Sequence, residues 1–252
     1  MSSFLGVVIF SLIMGMSIYL SLPIVMRRKT GEKTTKFLEA AAIGILVFLM
    51  ADVFSDVTPS LYNGSLYGYG ANAVYAALFA LALVIGFFML YYFENRSKSK
   101  QGLTPEKTAL MIAIGIGLQN LTEGLVFGSL SVAIGLFSGV ALVVLVGFTL
   151  QNITEGFPIA SPFINRNGRR LSVILALFLI GGIPTVIGGI AGFFYSSTMF
   201  NIFFDGLAIG SILYVILPMI KGLLRDIDPI KQKVAYLGIF IGFLVGFLVN
   251  LI

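Results

Sequence analysis

Two six-residue blocks repeat one set of polar groups: QNLTEG from Gln119 to Gly124 and QNITEG from Gln151 to Gly156, each inside a long apolar run. On a helix, residues four apart share a face, so Gln119 lies over Glu123 and Gln151 over Glu155. Asn120 and Asn152 sit about 100° further round and widen each polar face to one edge. If the two faces meet, two carboxylates and four amide oxygens surround one point. The carboxylates alone would repel. A divalent cation between them removes that repulsion, and the amide oxygens complete a shell of the kind such ions take. Proton exchange at the same carboxylates is the competing or coupled chemistry. The structural alternative is polar glue between helices, worth about 0.6–2 kcal/mol per contact in membranes. A block repeated on neighbouring helices favours a site.

Three further acids stand in apolar sequence. Asp52 and Asp56 are four apart on one face, and Asp205 lies in a later run. They are candidate entrance residues for a cation. Their structural alternatives are an interfacial acidic patch and a capping carboxylate.

These residues need helices to position them, and composition says of which kind. The 252 residues are 58% hydrophobic and 11% charged, with a mean hydropathy of +1.02. A soluble domain carries about twice that charged fraction, so the chain reads as an all-α integral membrane protein. Eight apolar runs are long enough to cross a bilayer: Ser3–Met26, Phe37–Val57, Gly70–Phe93, Thr108–Leu130, Phe137–Phe163, Leu171–Phe194, Met199–Ile220 and Val234–Ile252. Glu123 and Glu155 fall near the middle of the fourth and fifth. Pro105 with Glu106 marks a helix start, and YSSTMF thinly separates the sixth and seventh runs. Short connections, such as SVAIGLFSG between the fourth and fifth, make consecutive helices neighbours.

All 16 Lys and Arg residues fall in four alternate connections, and the intervening ones hold none. The positive-inside rule makes those four cytoplasmic and puts both termini outside. The pI near 9.4 therefore reflects orientation and gives no reason to expect nucleic acid. The first run has no basic flank before it and its positive flank after it, which reads as a retained first helix and not a cleaved signal. No loop has room for a soluble domain, so residues 1–252 form one transmembrane unit, multi-pass in the cytoplasmic membrane.

Cysteine and histidine are absent. That removes disulfides, thiolate metal sites, cysteine nucleophiles and imidazole bases. With no H-E-x-x-H motif and no His-supported serine, the parts of an intramembrane hydrolase are missing, and no enzyme is expected.

At QNLTEG and QNITEG the chain resembles the prokaryotic branch of the ZIP (Zrt/Irt-like) family of divalent-metal transporters, which carries HNxPEG in its fourth span and (H/Q)NxPEG in its fifth. GILVFLMADVFSDVTPS is similar to that family's second span, and GLAIGSILYVILP to its seventh. The resemblance implies a 3+2+3 bundle, in which two inverted three-helix repeats flank the fourth and fifth helices, working as an elevator-type carrier. It implies that Gln119, Asn120, Glu123, Gln151, Asn152 and Glu155 line the transport site. The substrate would be zinc, iron or manganese, carried as cargo, with no resident cofactor. The other partner is the lipid bilayer, and a homodimer is left open. The second reading is a relative that binds metal without transporting it, as a sensor or interaction protein.

Departures from the family pattern are specific. Gln119 replaces the fourth-span histidine, and Thr122 and Thr154 replace both motif prolines. Ile183 precedes Pro184 where relatives carry the glutamate of a second metal position. With no nitrogen ligand, the donor set tilts towards harder ions such as Mn²⁺.

Overall fold

The computed structural model describes residues 4–25, 31–62, 72–96, 104–164, 171–195, 197–224 and 228–251. The basic residues within 26–30, 97–103, 165–170 and 225–227, on which much of the orientation argument rests, lie outside these, as does Ser196.

Eight helices in the described residues are long and apolar enough to span a membrane. The first, α1 (Phe4–Met16), continues through a tighter 3₁₀ segment, Ser17–Ser21, and a helical turn, Leu22–Val25. The others are α2 (Glu32–Leu61), α3 (Ala73–Arg96), α4 (Pro105–Ile134), α5 (Gly139–Ala160), α6 (Leu171–Phe194), α7 (Thr198–Leu223) and α8 (Pro229–Asn250). Several overrun their apolar runs. α2 begins at Glu32 and not Phe37, because backbone hydrogen bonding continues where the side chains turn polar.

Local sequence sets the ends around the repeated blocks. Thr104 caps α4, its Oγ1 accepting from Lys107 N at 3.3 Å, with Pro105 in the first turn where its missing N–H costs nothing. α4 stops at Gly135, whose φ of 93° strains any residue with a Cβ. Ser138 then caps α5 by accepting from Ala141 N at 3.2 Å. Only residues 135–138 separate the two helices, so they run back antiparallel as neighbours.

α4 is the most enclosed helix, with 72% of its most apolar window buried against 22% for α3 and α8. It packs most extensively on α6 and also touches α7, α5 and α1; the other broad pairings are α2 with α8 and α3 with α7. α1 lies along α6, α2 along α7, and the 3₁₀ segment after α1 against α5. The α4–α6 seam is closed by glycine. A Cβ on Gly124 would stand 2.2 Å from Thr185 O, and one on Gly188 would stand 2.1 Å from Leu121 O. Such contact between backbones is how membrane helices associate when lipid offers no hydrophobic gain.

The two ends of the bundle differ. Lys33 and Lys36 on α2, Lys107 on α4, Lys221 on α7 and Lys231 and Lys233 on α8 share one end, where Lys231 pairs with Glu32 and Lys107 donates to Glu94 O. Asp52, Asp56 and Asp205 lie towards the other. A buried apolar layer of Ile43, Leu46, Ile112, Ile116, Ile159, Ile212 and Val215 fills the middle on the basic side of the repeated blocks.

Candidate functional site

The four-residue connection and the antiparallel pairing bring the two blocks face to face. Gln119, Asn120, Glu123, Gln151, Asn152 and Glu155 are all buried, the most exposed being Glu123 at 6%. One network joins them. Glu123 Oε1 accepts from Gln151 Nε2 at 2.7 Å and from Gln119 Nε2 at 3.2 Å, while Oε2 accepts from Asn152 Nδ2 at 3.4 Å. Gln151 Nε2 also reaches Glu155 Oε1 at 3.4 Å, so a single carboxamide bridges both carboxylates. Asn120 Nδ2 donates to Asn152 Oδ1 at 2.8 Å and to Gly181 O at 3.0 Å, tying α4 to α5 and α6 together. The last bond depends on the glycine seam, which lets Asn120 approach the α6 backbone.

Buried acceptors are left over in this network. Among the described residues, five buried side-chain atoms lack a hydrogen-bond partner: Gln119 Oε1, Asn120 Oδ1, Glu155 Oε2 and the hydroxyls of Ser11 and Thr185. Three of the five are oxygens of the repeated blocks. An unpartnered buried acceptor costs about 1–3 kcal/mol. Three within one hydrogen-bonded network make an acceptor-rich cluster suited to positive charge. No three His, Cys, Asp or Glu side chains among the described residues stand close enough to hold one metal ion between them, so any cation here would rest on two carboxylates supplemented by amides.

The two threonines behave alike. Thr122 Oγ1 donates to Gln119 O at 2.6 Å and Thr154 Oγ1 to Gln151 O at 2.7 Å, each three residues back. Both helices run through their blocks unbroken, so no proline-type irregularity occurs there. Gly124 and Gly156 are both packing residues: a Cβ on Gly156 would meet Ser21 Oγ at 2.1 Å and Ile18 O at 2.5 Å.

A cavity of about 460 Å³ leads to this cluster from the acidic end, and Gln119, Thr122 and Glu123 line it. Asp52, Asp56 and Asp205 line the same cavity, so all three candidate entrance acids meet there. Asp205 is buried, at 8% exposure, and Asp52 accepts from Asn250 Nδ2 at 2.5 Å. Asn120, Asn152, Gln151 and Glu155 lie behind the wall. Ser60, Thr198, Asn201 and Asn250 also line the cavity and were not singled out in sequence. Asn201 carried a signal: it stands four residues before Asp205 on the same helical face. Asn250 carried none, because only the packing of α8 on α2 brings it to Asp52.

A second cavity, about 280 Å³, opens at the basic end between Glu39, Ile43, Pro105, Thr108, Ser161 and Met219. Residues of α2, α4 and α7 line both cavities. The fold and site together define a multi-pass helical membrane protein with a buried carboxylate–carboxamide cluster between two opposed cavities. No protein-family model matches the chain, and no curated protein matches it either.

Proposed function

We propose that the protein is a carrier that moves a divalent metal cation across the cytoplasmic membrane, holding it between α4 and α5 with its basic end towards the cytoplasm. The observation that carries this reading is one buried network that holds Glu123 and Glu155 together and leaves oxygens of Gln119, Asn120 and Glu155 unpartnered. Helix glue alone would leave its acceptors bonded to its donors. Here three buried oxygens of the repeated blocks remain without a donor.

The cavities support movement through this point. The acidic-end cavity reaches Glu123, and a layer of isoleucine, leucine and valine separates the cluster from the basic-end cavity. A cation entering between Asp52, Asp56 and Asp205 meets carboxylates without opposing basic residues. Passage onward requires the apolar layer to part, which is the logic of alternating access.

Helix packing supports the inverted-repeat plan. Exchanging α1 with α6, α2 with α7, α3 with α8 and α4 with α5 turns the α2–α8 pair into α7–α3 and the α4–α6 pair into α5–α1. The pairs α1–α6, α2–α7 and α4–α5 return to themselves. Each exchanged pair runs in opposite directions across the bundle, as inversion requires. With the two blocks on the exchanged helices α4 and α5, this favours the ZIP-like arrangement that the motifs resemble.

Uptake of Mn²⁺ or Zn²⁺ into liposomes holding the purified protein tests the proposal. Glu123→Ala and Glu155→Ala should each reduce cation-dependent uptake to the level of protein-free vesicles. Wild-type rates in both variants would sink the carrier reading. Saturable binding by the wild type without flux would replace it with a metal-binding sensor.

A further inference from the structure

The polar side chains on the wall of the acidic-end cavity are aspartate, glutamate, asparagine, glutamine, serine and threonine, so every potential ligand along it is an oxygen. No methionine lines it, and the chain contains neither histidine nor cysteine. A cation entering from this side therefore meets no nitrogen or sulfur ligand before it reaches Glu123. The buried cluster continues the pattern, since its unpartnered acceptors are two amide oxygens and one carboxylate oxygen.

Gln119 has a special place in this set. Of the four carboxamides in the repeated blocks, it alone lines the cavity, and its Oε1 is unpartnered at 1% exposure. Its Nε2 is held by Glu123 Oε1 at 3.2 Å, which anchors the amide by its nitrogen and leaves the oxygen to be offered. Carboxylate, carbonyl and water oxygens suit Mg²⁺ and Mn²⁺, whereas Zn²⁺ and Cd²⁺ gain most from imidazole and sulfur.

We propose, granting the carrier reading above, that this site takes hard, oxygen-preferring cations of the Mn²⁺ and Mg²⁺ class without preference for zinc or cadmium, and that Gln119 is the residue that sets the choice. A single nitrogen or sulfur at position 119 then restores the softer preference, because the other ligands stay in place.

Titration calorimetry of the purified protein with Mn²⁺, Mg²⁺, Zn²⁺ and Cd²⁺ tests this. The wild type should bind Mn²⁺ and Zn²⁺ with affinities within about tenfold of each other, and Gln119→His should raise the Zn²⁺-to-Mn²⁺ ratio by about tenfold or more. Gln119→Met, close to isosteric, is the second variant and should raise the Cd²⁺-to-Mn²⁺ ratio even if the histidine variant fails to fold. A wild type that prefers Zn²⁺ by about a hundredfold, or variants whose ratios do not move, would overturn the inference and leave the carrier reading standing. A wild type that binds none of the four ions would overturn both.

Discussion

Gln151 holds both glutamates through one nitrogen, 2.7 Å from Glu123 Oε1 and 3.4 Å from Glu155 Oε1. Only the N–H side of a carboxamide can face two carboxylates, so this group supplies partial positive charge where the proposed cation would supply a full one. Hydrogen bonds to charged groups are worth about 1.5–3 kcal/mol, and Gln151→Met keeps the volume while removing them. The variant should melt at lower temperature without added cation, and Mn²⁺ should raise its melting temperature more than it raises that of the wild type. Differential scanning fluorimetry in detergent measures both; an Mn²⁺ shift no larger than the wild type's would mean that Gln151 is not standing in for the ion. At this scale much was legible in sequence. Carboxylates and amides in apolar runs announce themselves, and the four-residue spacing placed each pair on one face. The division of labour was not legible. Asn120 as a cross-link and Gln151 as a bridge depend on which neighbour each carboxamide meets, and that is fixed by helix rotation.

Between helices, the decisive contacts are backbone to backbone. Gly124 and Gly188 occupy reciprocal positions in the α4–α6 seam, and Asn120 reaches Gly181 O only because that seam is closed. Gly124→Ala would force a Cβ against Thr185 O and separate the helices, at a cost of about 1–3 kcal/mol by analogy with overpacked cores. Gly139→Ala, where an added Cβ meets nothing within 4 Å, is the matched control and should leave the melting temperature unchanged. Equal melting of both variants would show that the seam has room to yield. The eight spans were readable because an apolar run of about 20 residues has few alternatives to a membrane helix. Their overruns were not, since a polar side chain such as that of Glu32 does not end hydrogen bonding along the backbone. The entrance wall was half readable: Asp52, Asp56 and Asp205 stood out by charge, whereas Asn250 joins them only through the packing of α8 on α2.

At the scale of the whole molecule, charge and cavity distinguish the two ends of the bundle. Asp52, Asp56 and Asp205 gather at one end and the described lysines at the other, and residues of α2, α4 and α7 line a cavity at each. Under the carrier proposal, the positive-inside rule would place the lysines in the cytoplasm. Ser60 and Thr108 report on it, since Ser60 lines the acidic-end cavity and Thr108 the basic-end one. The chain has no cysteine of its own, so single reporters can be introduced without background. A membrane-impermeant maleimide added to intact cells should label Ser60→Cys and spare Thr108→Cys, and both should react after permeabilisation. The reverse pattern would turn the molecule over and make the lysine-rich end external. If the apolar layer parts during transport, then under conditions that drive uptake Thr108→Cys should react faster in opened cells as the basic-end cavity deepens towards Glu155. Ser60→Cys should slow as its own cavity closes. Rates that rise together would point to a continuous pore through the layer of Ile43, Ile116 and Ile212 and against a carrier that exposes its site to one side at a time.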